Sequence, residues 1–220
     1  MEIAHISYAL GKTECTNDFL AEQFPGWDSR KIFRKTGIRS RRIADGQLVS
    51  DLAVQAAENL FAESSIDRAS IDFLLLCTQS PDYFLPTTAC LVQDRLGLRK
   101  NCGALDFNLG CSGYVYGLAL AKGLLLGGMA RTVLLITSET YSKHLHPQDR
   151  SVRTIFGDGA SATLLAHDPG APLKIGEFVF GTDGSGARNL IVPAGGMAQP
   201  RNEATRQETT DKQGNVRSLD

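Results

Sequence analysis

Apolar runs and amphipathic stretches alternate along the 220-residue chain, and the alternation predicts strands and helices in turn. Residues 2–8 (EIAHISY) and 71–78 (IDFLLLCT) read as strands. The nearly unbroken apolar run of the second is the pattern of a strand covered on both faces. Residues 103–108, 132–138, 161–167 and 174–180 read as further strands. Between them, 50–63 (SDLAVQAAENLFAE) opens on Ser50 as its N-cap and sets Leu52, Ala53, Ala56, Ala57, Leu60 and Phe61 at helical spacing, which gives one apolar stripe. Residues 87–97 (TTACLVQDRLG) start on Thr and stop at Gly, as a helix does.

Strands alternating with helices of this length predict βαβ units. The fold class that follows is α/β, with a mostly parallel mixed sheet and helices on both faces. The last twenty residues hold only Ala204, Val216 and Leu219 as aliphatic side chains, so they read as a surface loop unable to pack unaided. A domain rarely ends on such a segment after a strand, and the protein is expected to continue past Asp220.

Composition narrows the function classes. With 42% hydrophobic residues the chain can bury a sizeable core. Its formal charge of -1 provides no field of one sign, so nucleic acid and anionic membranes are not expected partners and any phosphate binding is local. The start MEIAHISYALGK lacks the basic and apolar regions of a signal peptide, and no apolar run approaches the roughly 20 residues that span a bilayer, so the expected location is cytoplasmic. Five cysteines without a CxxC pair argue against a disulfide framework and a zinc cluster. Four of them, Cys15, Cys77, Cys90 and Cys102, read as plain structural thiols.

The fifth has a different context. In 103–127 (GALDFNLGCSGYVYGLALAKGLLLG) a strand runs through a short Gly-containing turn straight into a helix, and Cys111 sits at the turn. Residues 112–127 are apolar on almost every side, the pattern of a helix buried all round. Cys111 is thereby expected to cap a central helix, where unpaired N–H groups and the helix dipole favour a thiolate and hold an oxyanion. A thiolate nucleophile is one reading; a buried small hydrophobe is the other. His144 and His146 (KHLHP) read as solvated loop residues rather than metal ligands. No metal site is expected.

The segment DFNLGCSGYVYGLALA resembles the nucleophile motif of β-ketoacyl-acyl carrier protein synthase III, a condensing enzyme of the thiolase superfamily. KTGIRSRRIA (35–44), PTTACLVQDRLGL (86–98), DRSVRTIFGDGASATLL (149–165) and TDGSGARNLIVPAGG (182–196) agree in order and spacing. The resemblance implies a thiolase-like fold in which residues 1–170 form the nucleophile-bearing N-terminal half and 171–220 begin a truncated C-terminal half. It also implies acylation of Cys111 by a thioester primer, then decarboxylative Claisen condensation with malonyl-acyl carrier protein. The family's decarboxylating His and Asn lie in its C-terminal half, and His5, His144, His146 and His167 match neither.

By the same resemblance, Arg150 contacts the adenine end of coenzyme A and Lys35 stands near its phosphates. Lys31 stands where the family often has an adenine-stacking Trp, a departure that weakens coenzyme A binding or points to a donor carried on protein. Leu85 replaces a common Phe that reaches the acyl pocket of the partner subunit, which implies a homodimer and a primer larger than acetyl. Phe156 lies near the nucleophile. Asp158, between two glycines, reads as a structural carboxylate bonding turn amides. No cofactor is implied beyond coenzyme A and carrier thioesters as substrates. Two other readings stay open: an acyltransferase to an oxygen or nitrogen nucleophile, and a non-catalytic partner subunit.

Overall fold

The structure is a computed structural model that describes residues 2–24, 26–166 and 175–220. In chain order it contains β1 (Glu2–Leu10), β2 (Thr13–Thr16), α1 (Asn17–Gln23), α2 (Ser29–Thr36), β3 (Ser40–Ile43), α3 (Val49–Ser64), β4 (Phe73–Cys77), α4 (Thr88–Arg95), β5 (Gly103–Phe107), α5 (Gly113–Leu126), β6 (Thr132–Glu139), β7 (Gly159–Ala166), β8 (Thr209–Thr210) and β9 (Val216–Arg217). The chain divides into two compact units: Met1–Glu14 with Arg42–Thr140 and Gly157–Glu177, and Cys15–Arg41 with Tyr141–Phe156 and Phe178–Asp220.

The first unit is built on a five-stranded sheet in the order β1-β7-β6-β4-β5. β4 pairs in parallel with both β5 and β6, whereas β7 runs antiparallel to β6 and to β1. The sheet is therefore mixed, with as many antiparallel as parallel pairings. The reason lies between β6 and β7, where the chain forms only a short 3₁₀ turn at Tyr141–His144 and no crossover helix, so the next strand returns antiparallel.

Side chains alternate across each strand, and both faces are covered. Leu74 and Leu76 of β4, Leu134 and Ile136 of β6 and Leu164 of β7 form a core with Leu52, Ala53, Ala56 and Leu60 of α3 and Ala89 and Val92 of α4. On the other face Leu75, Val133, Leu135 and Leu165 are fully buried, and α5 packs there so closely that a Cβ on Gly117 would stand 2.6 Å from Leu135 Cδ1. The α/β class expected from the pattern is what forms, with helices on both faces.

Four local expectations change. α3 starts at Val49 with Leu48 at the cap position; the Leu48 N–H donates to Asp51 at 2.8 Å, while Ser50 lies inside the helix and its hydroxyl accepts from Arg95 at 2.7 Å. Residues 175–180 form no strand, and 174, like 167, lies outside the described residues. α5 is not buried all round: Gly113, Gly117, Leu118, Ala121 and Leu125 face the sheet, while Val115, Leu120 and Leu126 are exposed. A single sheet covers one side of a helix only.

The fourth change concerns the last twenty residues, which are not a bare loop. β8 and β9 pair antiparallel, and Asp211 accepts from the Asn215 side chain at 2.8 Å inside the hairpin. Arg217 donates to the buried Asp149 at 2.8 Å, so polar bonds stand in for the aliphatic core the segment lacks. In the same unit α2 starts under an Asp28 cap and ends on Gly37 at φ 72°, a conformation only glycine adopts without strain.

Candidate active site

Strand β4 ends at Cys77 beside Phe107, the last residue of β5, and the Thr78 N–H extends the pairing to the Phe107 carbonyl at 3.1 Å. Just past this point the chain turns into α5. The Gly113 N–H closes the turn on the Gly110 carbonyl at 2.8 Å, with Cys111 inside it and Ser112 at the cap position. Cys111 thus stands one residue before the cap instead of forming it. It is exposed, whereas Cys15 and Cys77 are buried and Cys90 and Cys102 are intermediate.

Cys77 supports the turn from below. Its thiol donates to the Leu109 carbonyl at 3.2 Å, and a Cβ on Gly113 would stand 2.3 Å from its sulfur, so only glycine fits at the first residue of α5. Burial pushes the Cys77 and Cys102 thiols up, which keeps both protonated and unreactive. The helix start beneath Cys111 carries the positive end of the α5 dipole, a favourable place for a thiolate and for negative charge on an attacked carbonyl.

Three polar residues that sequence reasoning did not single out lie at or just past the ends of β4, β5 and β6. Asp106 on β5 accepts from the Thr88 and Ala89 N–H groups, each at 2.6 Å, and so caps α4. Glu139, the last residue of β6, accepts from the Gln79 N–H at 2.6 Å and the Ser80 hydroxyl at 2.7 Å. Burial pushes its carboxyl up, and these two donors oppose the shift. The Gln79 side chain rests against Gly110, where a Cβ would stand 3.0 Å from Oε1 and 3.6 Å from Nε2. Nothing in the local sequence pattern marks these residues; the pairing of β4 with β6 brings Gln79 and Glu139 together.

The sequence-predicted positions fall in both units. Leu85 belongs with Cys111 in the first, on a loop where Tyr83, Phe84 and Leu85 are 58%, 80% and 86% exposed. Phe156, Arg150, Lys31 and Lys35 belong to the second. Phe156 packs on Tyr141 with ring centroids 4.6 Å apart. The Arg150 guanidinium lies over the Phe24 ring at 5.3 Å, and Phe24 packs on Trp27 at 4.7 Å. Lys31 and Lys35 are exposed on α2 beside Arg30 and Arg34, one helix with four cations and no carboxylate.

Asp158 is buried and accepts from the Ala44 N–H at 2.7 Å, a structural role as expected, though its partner follows β3 and is not in its own turn. His146 departs from its expected solvated state: its side chain is 16% exposed and bonds Glu208 at 3.1 Å. His5 bonds Glu63 at 3.0 Å. Among the described residues no group of three or more His, Cys, Asp and Glu is placed to hold a metal ion, and no helix is long and apolar enough to cross a membrane.

Comparison with known proteins gives a consistent result. The family 3-oxoacyl-[acyl-carrier-protein (ACP)] synthase III matches residues 105–184, the stretch that includes Cys111. The chain is 39% identical over 175 residues to the β-ketoacyl-[acyl-carrier-protein] synthase III of Caldanaerobacter subterraneus, covering 79% of this chain and 52% of that protein. It is 40% identical over 190 residues to β-ketoacyl-[acyl-carrier-protein] synthase III 3 of Streptomyces coelicolor, covering 86% and 56%. A crystal structure of a 3-oxoacyl-(acyl-carrier-protein) synthase III superposes with a TM-score of 0.95 at 55% identity over 99% of this chain and 65% of that one. The 3-oxoacyl-(acyl-carrier protein) synthase of Burkholderia xenovorans gives a TM-score of 0.81 at 38% identity, covering 93% and 58%. The chain therefore spans a little over half the length of these two curated relatives.

Proposed function

Since the chain is a 3-oxoacyl-[acyl-carrier-protein] synthase III-like protein of the thiolase fold, we propose that it is an acyltransferase that takes a primer acyl group from a thioester onto Cys111. The observation that carries this reading is the placement of the one exposed cysteine of five at the β5–α5 turn. The Cys111 thiolate attacks the thioester carbon, the carbonyl electron pair moves to oxygen, and collapse forms the acyl-Cys111 bond while expelling the donor thiolate. In the second half-reaction a malonyl-carrier thioester loses carbon dioxide, and its enolate carbon attacks the acyl-Cys111 carbonyl, forming the β-ketoacyl-carrier product and regenerating the Cys111 thiolate as the leaving group. The resemblance puts the histidine and asparagine that assist this step in the family's C-terminal half, and the half-reaction assigned to Cys111 itself is acylation.

The primer reaches the site as a coenzyme A or carrier thioester. Lys31 and Lys35 are cations for its phosphates, and Arg150, stacked on Phe24 beside Trp27, offers a flat surface for an adenine although Lys31 stands at the usual Trp position. The working form is a homodimer, with the exposed Tyr83–Leu85 loop covered by a second copy.

The test is intact mass before and after incubation with acetyl-, hexanoyl- and decanoyl-coenzyme A, with Cys111→Ala alongside. One acyl mass is expected on the wild type and none on the variant. A folded wild type that gains no mass from any donor overturns the assignment.

A further inference from the structure

We infer that the Gln79 carboxamide is a hydrogen-bond donor to the acyl thioester at Cys111, and that Glu139 is the positioning residue that holds it there. The inference rests on the acylation reading above and adds to it a side chain outside the nucleophile turn.

Three observations carry it. The backbone at Gln79 is pinned on both sides: the Thr78 N–H bonds the Phe107 carbonyl at 3.1 Å, and the Gln79 N–H bonds Glu139 at 2.6 Å. Ser80 doubles the anchor, because its hydroxyl donates to the other Glu139 oxygen at 2.7 Å and accepts from the Thr140 N–H at 3.0 Å. Both Glu139 oxygens are thus spent on the loop, so Glu139 acts as a clamp and not as a base for Cys111.

The side chain that leaves this fixed backbone points toward the nucleophile turn. It lies against Gly110, which leaves room for it because any Cβ there would stand 3.0 Å from Gln79 Oε1. Gly110 precedes Cys111, and neighbouring Cα atoms are about 3.8 Å apart, so the carboxamide reaches a group bonded to the Cys111 sulfur.

The carboxamide is also uncommitted. Gln79 is exposed, and among the described residues its side-chain amide has no hydrogen-bond partner. A neutral amide offers two N–H donors without the charge that would favour or oppose the thiolate itself. During attack, negative charge moves from sulfur to the carbonyl oxygen, and an N–H aimed at that oxygen stabilises the transition state more than the ground state.

The experiment compares two reactions of the full chain: acylation of Cys111 by hexanoyl-coenzyme A, and alkylation by iodoacetamide, whose displacement at carbon builds no oxyanion. Gln79→Ala is expected to slow acylation roughly tenfold, at or below the low end of the loss for an oxyanion donor, and to leave alkylation at the wild-type rate. Glu139→Gln offers one acceptor oxygen in place of two and is expected to slow acylation less, with little further loss when combined with Gln79→Ala.

Gln79→Ala acylated at the wild-type rate overturns the inference. Equal slowing of acylation and alkylation overturns it too, because Gln79 would then shape the turn and not the transition state. A wild type that is alkylated but never acylated removes the acylation reading and this inference with it, and is recognised without any variant.

Discussion

Gly113 and Cys77 form the tightest contact at the site. A Cβ at Gly113 would stand 2.3 Å from the Cys77 sulfur, so Gly113→Ala must displace the thiol or the start of α5. The expected cost is about 1–3 kcal/mol in urea denaturation, the range for overpacking. Removing the sulfur should return much of it, so Gly113→Ala in a Cys77→Ala background is expected to lose less than in the wild type. An equal loss in both backgrounds would place the strain elsewhere. At this scale the sequence was informative about Cys111, because a strand–Gly turn–helix pattern is local. It was silent on Cys77, Gln79 and Glu139, since their relation to the turn depends on β4, β5 and β6 lying side by side.

Among the elements, β4 and β6 are tied at their first residues by Asp72. Its carboxyl accepts from the Arg131 N–H at 2.8 Å and the Thr132 N–H at 3.3 Å, and Arg99 donates to it at 2.8 Å. The bond from the Arg131 backbone, above all, holds the carboxyl below its ordinary value of 3.8. A carboxyl lowered in the folded state adds stability that is complete above the unfolded value and is lost as pH falls through the folded one. The melting temperature of the wild type is therefore expected to fall more steeply below about pH 4 than that of Asp72→Asn. Parallel acid limbs would show that the clamp contributes nothing. Element identity was mostly legible: the apolar run at 71–78 becomes a strand buried on both faces, and the stripe at 50–63 becomes α3. Strand direction was not, because β7 reads alike in either sense and its antiparallel course follows from the missing crossover helix.

At the scale of the whole molecule, two exposed apolar surfaces stand out, the Tyr83–Leu85 loop and the outer side of α5 with Val115, Leu120 and Leu126. Apolar side chains gathered on a surface mark contact with another chain or segment. The loop reading predicts a dimer mass in sedimentation equilibrium, shifted toward monomer by Leu85→Asp with secondary structure unchanged. A wild-type monomer at all concentrations would oppose it. Leu85→Phe is expected to lower acylation by decanoyl-coenzyme A relative to acetyl-coenzyme A in the intact-mass assay, since the bulkier ring takes space from the acyl chain.

The sequence by itself determined the α/β class and the core positions of α3 and β4, because periodicity is set by neighbours along the chain, and it set Cys111 apart from the other cysteines at a strand–turn–helix junction. Only the tertiary structure decided which strands run antiparallel, that α5 is covered on one side, and that Gln79 and Glu139 stand at the nucleophile turn. Those outcomes depend on strand order and register, which join residues as far apart as Gln79 and Glu139 and leave no periodic trace in either segment.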